Sequence, residues 1–554
     1  MLQIFAGPDA VNVASVDLDR STDFEIEIEQ PILTEDGMPV PFSTAIEFPV
    51  TPANKEIFGY LPFLALEPTQ KELYARICYE GITLIQGMLT FDGIGGGRLK
   101  YTFSGQDVTA AETWKRKIWD LSPEHEAALP DDCCEFPVLL LEEATGKLWH
   151  PTASPIGTGA TPGTGGSRTS SPTSKYRNYG DLWASYRNVQ APAIRVSAIL
   201  SEAFAGVQVP QLVSRFWNRC AIIGNYPTTN PDGSRSRTSI VSPSAPDQDS
   251  DAEIWFSDLP DLTVAEFARE VLKLRAAAVF YDGSGIVVKT ADEVLSDSPI
   301  DWSGKVSDVF ELTDVEKQHL LMGWSDIQTP KAAEDTDIPQ YDSLSEILDA
   351  AEGSDSSEYE NYMHATLKDV YSIKKTGDRE KEIGDIAIQC LFAEESANDD
   401  APSLDLRSSL IPVRCVPDRL YTKNGTWVDR LVPVVKINAL NGERGKVTYI
   451  GILKNGQMCD KGVVIDDDED TGADDSLDIR TLYANVPDFG NWLSSQRRRI
   501  EVDLALSFQD IAGLRMWHRY QFLGATWIAE KFTIHLSADG RRPTVTGAFI
   551  SCPL

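Results

Sequence analysis

Asp23-Phe-Glu-Ile-Glu-Ile-Glu29 is the stretch that decides the fold, because its apolar and acidic side chains alternate without a break. Successive side chains of a β-strand point to opposite faces, so Glu25, Glu27 and Glu29 are predicted to share one face. The alternation recurs in 73–79, and further apolar runs at 82–91 and 99–103 follow glycine turns. We therefore expect an N-terminal antiparallel β domain with one face on a core and one face in water.

A second strand-rich region begins near residue 400. Dipeptides typical of hairpin turns separate its apolar runs, namely Asn424-Gly425, Asn441-Gly442, Asn455-Gly456 and Asp539-Gly540. Apolar residues alternate in 500–506, and 526–536 has the composition of one long strand. This region is predicted to form a second β domain, either a sandwich or a barrel.

An α/β segment lies between the two strand-rich regions. Apolar residues at helical spacing predict a helix over 196–204. Thr263-Val-Ala-Glu266 is a capping box, which predicts that a second helix begins there. A hairpin over 278–290 and a short helix over 291–295 follow. The predicted fold class is therefore α+β and mostly antiparallel β, with two β domains and an α/β insertion.

Composition shifts set the predicted domain boundaries. A Gly/Ser/Thr/Pro stretch at 152–175 cannot pack a core, and 326–360 holds eleven acids and one base. The predicted divisions are an N-terminal β domain, a connecting region with the loop 152–175, the α/β insertion, an acidic excursion with a β connection, and a C-terminal β domain. Their bounds are 1–110, 111–190, 191–320, 321–400 and 401–554.

The charge balance excludes several classes of function. The 554 residues include 84 acids and 50 bases, which gives a formal net charge of −34. Proteins that grip nucleic acid use lysine and arginine to displace counterions, so stable DNA binding is not expected. No apolar run approaches the roughly 18 residues of a membrane helix, and the start of the chain lacks the pattern of a signal peptide.

Catalytic and cofactor motifs are missing from the sequence. The eight cysteines form no C-x-x-C pair, and the six histidines form no H-E-x-x-H motif. A nucleophile elbow and a Walker A loop are absent as well. With 84 acids, carboxylate pairs arise by chance and carry no information about glycoside hydrolysis. The sequence thus predicts neither an enzyme nor a bound cofactor.

One acidic run resembles a metal loop in part. A twelve-residue calcium loop starting at Asp467 would place Glu469 at its third position and Asp478 at its twelfth. Aspartate stands where calcium loops carry a bidentate glutamate, and no amphipathic helices flank the run. A plain acidic loop is the favoured interpretation, with a calcium site as the alternative.

Three stretches resemble a known family. They are Phe48-Pro-Val-Thr-Pro-Ala-Asn-Lys-Glu-Ile-Phe-Gly59, the strand–Gly–strand module over 74–87, and the helix and hairpin from 259 to Asp301-Trp-Ser-Gly-Lys-Val306. They are similar to the tail hub proteins of Bacteroidetes phages and prophages. That family is related to the central baseplate hub of contractile-tailed phages and to the hub of type VI secretion spikes. The resemblance covers about half of the chain.

The resemblance implies a trimeric baseplate hub in the virion tail, assembled in the host cytoplasm. Two tail-tube-like β domains per chain would give three chains a pseudo-sixfold ring around the DNA exit channel. The implied partners are further copies of the chain, the tail tube or a distal tail protein, and the tip, spike and tape-measure proteins. No membrane insertion is expected, and DNA would pass without adhering.

The acidic row of the first strand fits a channel wall. Lysine and arginine would retard DNA, so we expect Glu25, Glu27 and Glu29 to face the channel. An ordinary solvated strand face is the equal alternative.

Two other functions remain open at the level of sequence. The first is a carbohydrate- or peptidoglycan-degrading enzyme on a virion or cell, which would need converging carboxylates or a nucleophile–base pair. The second is a receptor-binding tail protein, which would be expected to carry a coiled coil or a repeated shaft. Neither a heptad run nor a repeat period occurs in the sequence.

Overall fold

The computed structural model of the chain describes twenty stretches of backbone. They are residues 2–38, 43–59, 72–105, 113–121, 133–137, 139–142, 190–203, 215–224, 259–281, 286–325, 340–341, 364–367, 371–376, 380–383, 402–421, 427–437, 445–454, 457–458, 477 and 479–552.

Strands dominate these stretches. The strands of the first half are β1 Leu2–Gly7, β2 Ala14–Val16, β3 Asp23–Glu29, β4 Ser43–Pro49, β5 Glu72–Tyr79, β6 Ile82–Gly95, β7 Arg98–Ser104, β8 Cys133–Pro137, β9 Leu139–Glu142, β10 Gln190–Arg195, β11 Cys220–Ile223, β12 Ala277–Tyr281 and β13 Ile286–Thr290. Those of the second half are β14 Ile300–Asp301, β15 Val306–Val315, β16 His319–Trp324, β17 Gln340–Tyr341, β18 His364–Leu367, β19 Tyr371–Thr376, β20 Glu380–Ile383, β21 Ser403–Ser408, β22 Ile411–Pro412, β23 Arg414–Tyr421, β24 Trp427–Ile437, β25 Tyr449–Lys454, β26 Gln457–Met458, β27 Arg497–Leu504, β28 Arg519–Phe522, β29 Ala525–Ser537 and β30 Thr544–Ser551.

The helices are short and lie between strands. They are α1 Pro52–Ile57, α2 Val196–Ala203, α3 Arg215–Arg219, α4 Val264–Lys273, α5 Ala291–Ser296, α6 Ile479–Ala484, α7 Pro487–Ser494 and α8 Phe508–Ala512, with 3-10 turns at Pro31–Leu33 and Ile118–Asp120. Most strand pairs are antiparallel, so the predicted α+β class is confirmed.

The N-terminal sheet has six antiparallel strands in the order β2-β1-β5-β6-β7-β4. Its β6–β7 hairpin turns at Gly96 and Gly97, which both have the positive φ that glycine tolerates. Phe48, Phe58 and Tyr101 stack beneath this sheet, with ring centroids 4.6 to 6.0 Å apart. The predicted alternation over 73–79 holds on one side, where every second residue from Leu73 is buried.

The C-terminal sheet has seven strands and includes one from the N-terminal region. Its main order is β14-β28-β29-β30-β27-β15, and β3 pairs antiparallel with the far half of β29. The stretch Asp23–Glu29 is therefore a strand, as its alternation predicts, but it lies against residues 531–537. Because β1, β2 and β4 belong to the other sheet, the chain passes from one sheet to the other and back within fifty residues.

The α/β insertion forms as its sequence signals predict. The Thr263 side chain accepts a hydrogen bond from the Glu266 backbone N–H, and the Glu266 carboxylate accepts one from the Thr263 backbone N–H, so that α4 begins there. The predicted hairpin is the β12–β13 pair, and a second capping box at Thr290 begins α5. A further sheet, β22-β25-β11-β10-β8, joins residues on both sides of this insertion.

Candidate functional site

The acidic row of β3 occupies the solvent side of the C-terminal sheet. Phe24 and Ile26 are buried, whereas Glu25 and Glu29 are exposed and Glu27 is half-buried. Thirteen-residue β29 holds this strand through seven successive residue pairs, from Lys531 opposite Glu29 to Ser537 opposite Asp23. The register therefore fixes all three glutamates on one face.

Directly paired residues share a face, so the register extends this face across the sheet. One row runs from Glu29 through Lys531 and Ala548 to Glu501 and Glu311. We define the acidic sheet face as this row together with the two rows beside it, which add Glu27, Thr533, Thr546 and Asp503, and Glu25, His535 and Thr544. The face thus carries six carboxylates against one lysine and one histidine.

Two cross-strand pairs of polar side chains lie on the face. Lys531 Nζ lies 2.6 Å from Glu27, and His535 Nδ1 lies 3.0 Å from Glu25. These side chains are between 30% and 54% exposed, so solvent screens the pairs and each contributes less than about 1 kcal/mol. Glu501, Asp503 and Glu311 are exposed, and Asp503 accepts a hydrogen bond from Thr546 at 3.0 Å. The face therefore keeps a net negative charge.

An aromatic cluster supports the other side of the same strands. Trp302 and Tyr520 lie with ring centroids 4.0 Å apart, and Phe549 is 5.5 Å from Phe532 and 5.0 Å from Phe522. All five residues are at most 4% exposed. The Tyr520 hydroxyl donates to the Arg515 carbonyl at 2.7 Å, and burial raises the pKa of this phenol. Dense packing of this kind fixes the positions of the strands that carry the carboxylates.

Sequence reasoning found three of the six carboxylates. Glu501 and Asp503 alternate with the apolar residues of 500–504, and this alternation already indicates that the two acids share one face of a strand. Glu311 joins the face only through its register with Glu501, which no local pattern shows. Whether Glu25, Glu27 and Glu29 face a channel stays a prediction.

The arginine cluster at 497–499 divides into three environments. Arg498 is exposed, and Arg499 lies 2.5 Å from Glu530. Arg497 is 1% exposed, stacks on Trp492 and donates to the Glu316 carbonyl at 2.8 Å. Burial lowers the pKa of its guanidinium. This cluster is therefore largely structural.

The predicted calcium loop lies outside the described residues, because Asp467, Glu469 and Asp478 all do. In the described stretches, no group of three or more histidine, cysteine or acidic side chains is arranged to hold a metal ion. The described part likewise has no helix long and apolar enough to cross a membrane.

An apolar pocket and the buried cysteines are two further candidates for a reactive site, and neither presents an activated side chain. A pocket of about 290 Å³, including space open to solvent, lies between α2, α4 and the β12–β13 hairpin, and its lining has no titratable side chain. In the part of the chain that the structure describes, Cys78, Cys220 and Cys552 are buried. Burial raises the pKa of the Cys552 thiol to about 12, so this thiol is protonated and a poor nucleophile at neutral pH.

The fold and the face together define a strand-rich α+β protein with a carboxylate-covered sheet. No protein-family model matches the sequence, and no curated protein matches it. Among solved structures, the chain is similar to the 43 kDa tail protein of prophage MuSo2 from Shewanella oneidensis. The sequence identity is 8% and the TM-score is 0.32, and the alignment covers 99% of this chain and 96% of the MuSo2 protein. A tail protein from Neisseria meningitidis MC58 matches with the same identity and TM-score, over 100% and 96% of the two chains. Both of these solved structures are tail proteins.

Proposed function

We propose that this chain is a structural subunit of a phage tail tip. Three copies form a baseplate hub that joins the hexameric tail tube to the threefold tip and surrounds the DNA exit channel. The partners in this role are the tail tube or a distal tail protein on one side, and the tip, spike and tape-measure proteins on the other. The subunit acts through its shape and charge, and it transforms no substrate.

The acidic sheet face is the observation that carries the proposal. Six carboxylates lie on one continuous face, and the aromatic cluster beneath them keeps that face rigid. DNA carries one negative charge per roughly 1.7 Å of duplex, so a wall of fixed carboxylates repels it and leaves it free to move. The family resemblance of the sequence supports the same role, because it implies a ring around a DNA channel.

The first test is the mass of the purified chain in solution. Light scattering or native mass spectrometry is expected to give three times 61.1 kDa, and electron micrographs are expected to show rings. A monomer or dimer at micromolar concentration, with no rings, would contradict the hub.

The second test reverses charges on the face. The E25K/E501K variant is expected to retard duplex DNA at about 50 mM salt and to release it near 200 mM, because counterion release makes such binding salt-dependent. The matched control is D120K/D488K, which changes net charge equally at exposed acids away from the face. Equal retardation by both variants would show that total charge, and not this face, governs DNA contact.

A further inference from the structure

The strand β15 forms one edge of the C-terminal sheet. Among the described residues it pairs with β27 alone, from Val306 to Val315. The backbone N–H and C=O groups of a strand point to both of its sides, so part of those in β15 point away from β27. Apart from the Val309 N–H, which donates to the Ser307 hydroxyl at 3.1 Å, the outward groups are left to water or to an added strand.

Apolar side chains on this edge are exposed although they continue the core side of the sheet. Phe310 lies opposite Val502 and Leu312 lies opposite Ile500, and directly paired residues share a face. Val502 and Ile500 are buried, whereas Phe310 is 45% and Leu312 is 44% exposed. The apolar layer of the sheet therefore ends uncovered at β15, and a further strand with apolar side chains on this side would extend it.

The other side of the same edge is acidic. Glu311 lies opposite Glu501, both carboxylates are exposed, and like charges on directly paired residues repel each other. The strand β15 itself carries three acids and no base, namely Asp308, Glu311 and Asp314. In the described part of the chain none of the three forms an ion pair, although Arg498 is opposite Asp314. A lysine or arginine on an added strand would lie beside Glu311 and reduce the repulsion.

These three properties select among the possible partners of the edge. A second copy of β15 would bring three further acids and no base, so pairing of β15 with itself increases the repulsion. A helix or a loop would cover the apolar side chains but would leave the outward backbone groups without partners. A strand in which basic and apolar side chains alternate satisfies the backbone, the apolar layer and the carboxylates together.

We propose that β15 is a docking edge for an extended segment of a different protein, which joins the C-terminal sheet as a further strand. The lysine and arginine side chains of that segment lie on the side of Glu311, and its apolar side chains lie on the side of Phe310 and Leu312. This contact goes beyond the hub proposal, because it concerns one edge of a single chain and holds for any number of copies in the assembly.

A labelled peptide tests the docking edge on the full chain. The probe has ten residues, the length of β15, in which lysine alternates with valine, so that a strand places all lysines on one face. Fluorescence anisotropy is expected to show binding at about 0.15 M ionic strength, where distant charges are screened. A control peptide with proline in place of the central valines keeps the charge but cannot pair as a strand. A second control has glutamate in place of lysine, and both controls are expected to bind roughly tenfold more weakly or worse.

Charge reversal on the edge locates the binding site. The E311K/D314K variant is expected to weaken binding of the lysine peptide by roughly tenfold and to bind the glutamate peptide instead. The matched control is E25K/E29K, which makes the same change of charge at the far side of the acidic sheet face and is expected to leave the affinity nearly unchanged. All four acids are exposed, so neither variant is expected to change the melting temperature.

Hydrogen exchange supplies the second measurement. The lysine peptide is expected to protect backbone amides within β15 and to leave those of β3 unchanged. Equal binding of the proline peptide, or an equal loss of affinity in both double variants, would show that total charge attracts the peptide and would overturn the contact. Absence of binding, or protection only at residues outside β15, would overturn it as well and would mean that the acids of β15 serve to keep the edge unpaired.

Discussion

The two large sheets share an architecture and differ in their wet faces. Both are largely antiparallel and cover an aromatic core on one side. On the N-terminal sheet, Arg76 lies opposite Gln86 and Lys100 opposite Glu47, so charges of both signs mix with hydroxyl groups. On the C-terminal sheet, the acidic sheet face carries six carboxylates, one lysine and one histidine, and Arg499 lies on the same side in an ion pair with Glu530. The wet faces of the two sheets therefore differ in their balance of acidic and basic side chains.

The largest expected effect tests whether the two sheets unfold together. Phe549→Ala in one core and Phe103→Ala in the other each remove a fully buried ring and are expected to lower the free energy of unfolding by about 3–5 kcal/mol. Because β3 links the sheets, hydrogen exchange is expected to show loss of protection in both sheets for either variant. Protection retained in the unmutated sheet would show two independent folding units.

A smaller effect tests the close packing of the C-terminal core. A Cβ on Gly547 would lie 2.3 Å from the Phe549 ring, which Phe532 and Trp302 hold in place. Gly547→Ala is therefore expected to cost about 1–3 kcal/mol in chemical denaturation. At Gly304 a Cβ would meet nothing within 4 Å, so Gly304→Ala is the control and is expected to change stability by less than about 0.5 kcal/mol. Equal costs would remove the packing argument.

The α/β insertion gives a prediction that depends on pH. Partial burial raises the pKa of Glu266, but hydrogen bonds from Lys446 and the Thr263 backbone outweigh it and lower this pKa to about 2, from 4.5. A lowered folded-state pKa stabilises the fold above pH 4.5, and this contribution is lost as the pH falls from 4.5 towards 2.

Glu266→Gln keeps the capping geometry and loses the ion pair, so we expect a cost of roughly 0.5–1 kcal/mol at pH 7. The difference from the parent chain should shrink below pH 4.5, as measured by urea unfolding across pH. Glu293→Gln, in the second capping box, is the control and should show little change. A difference at pH 2.5 as large as the one at pH 7 would contradict the ion-pair explanation.

The smallest expected effect concerns the acidic face itself. Glu27→Gln removes the partner of Lys531, and because both side chains are at least 30% exposed, the cost is expected to stay below about 0.5 kcal/mol. The cost should vanish near 1 M salt, where the Debye length is about 3 Å. A cost above about 1 kcal/mol, or one that salt leaves unchanged, would mean that the carboxylates stabilise the fold and are not there for repulsion alone.

Local sequence patterns predicted local structure well. Both the capping box at Thr263 and the β12–β13 hairpin are confirmed, as are the hairpins that flank Asn455-Gly456 and Asp539-Gly540. These features depend on a few neighbouring residues, whose backbone preferences and turn chemistry suffice.

Long-range pairing could not be predicted in the same way. The alternation in Asp23–Glu29 reveals which side chains share a face, but it does not identify the partner strand, which begins about 500 residues later at Ala525. Arg497 shows the same limit, because its burial depends on Trp492 in the preceding helix α7. The sequence alone predicted three residues of the acidic sheet face. The strand register is what places the other three carboxylates beside them.

The threading of β3 into the C-terminal sheet has a consequence for biosynthesis. This strand leaves the ribosome early, yet its partner β29 is synthesised about 500 residues later. At a synthesis rate of roughly 5–20 residues per second, about 25–100 s pass before β29 is made. During that time β3 has no partner strand. During this interval the glutamates of the segment oppose the annealing of neighbouring nascent chains to it by charge repulsion, so they would act as gatekeepers against aggregation during translation.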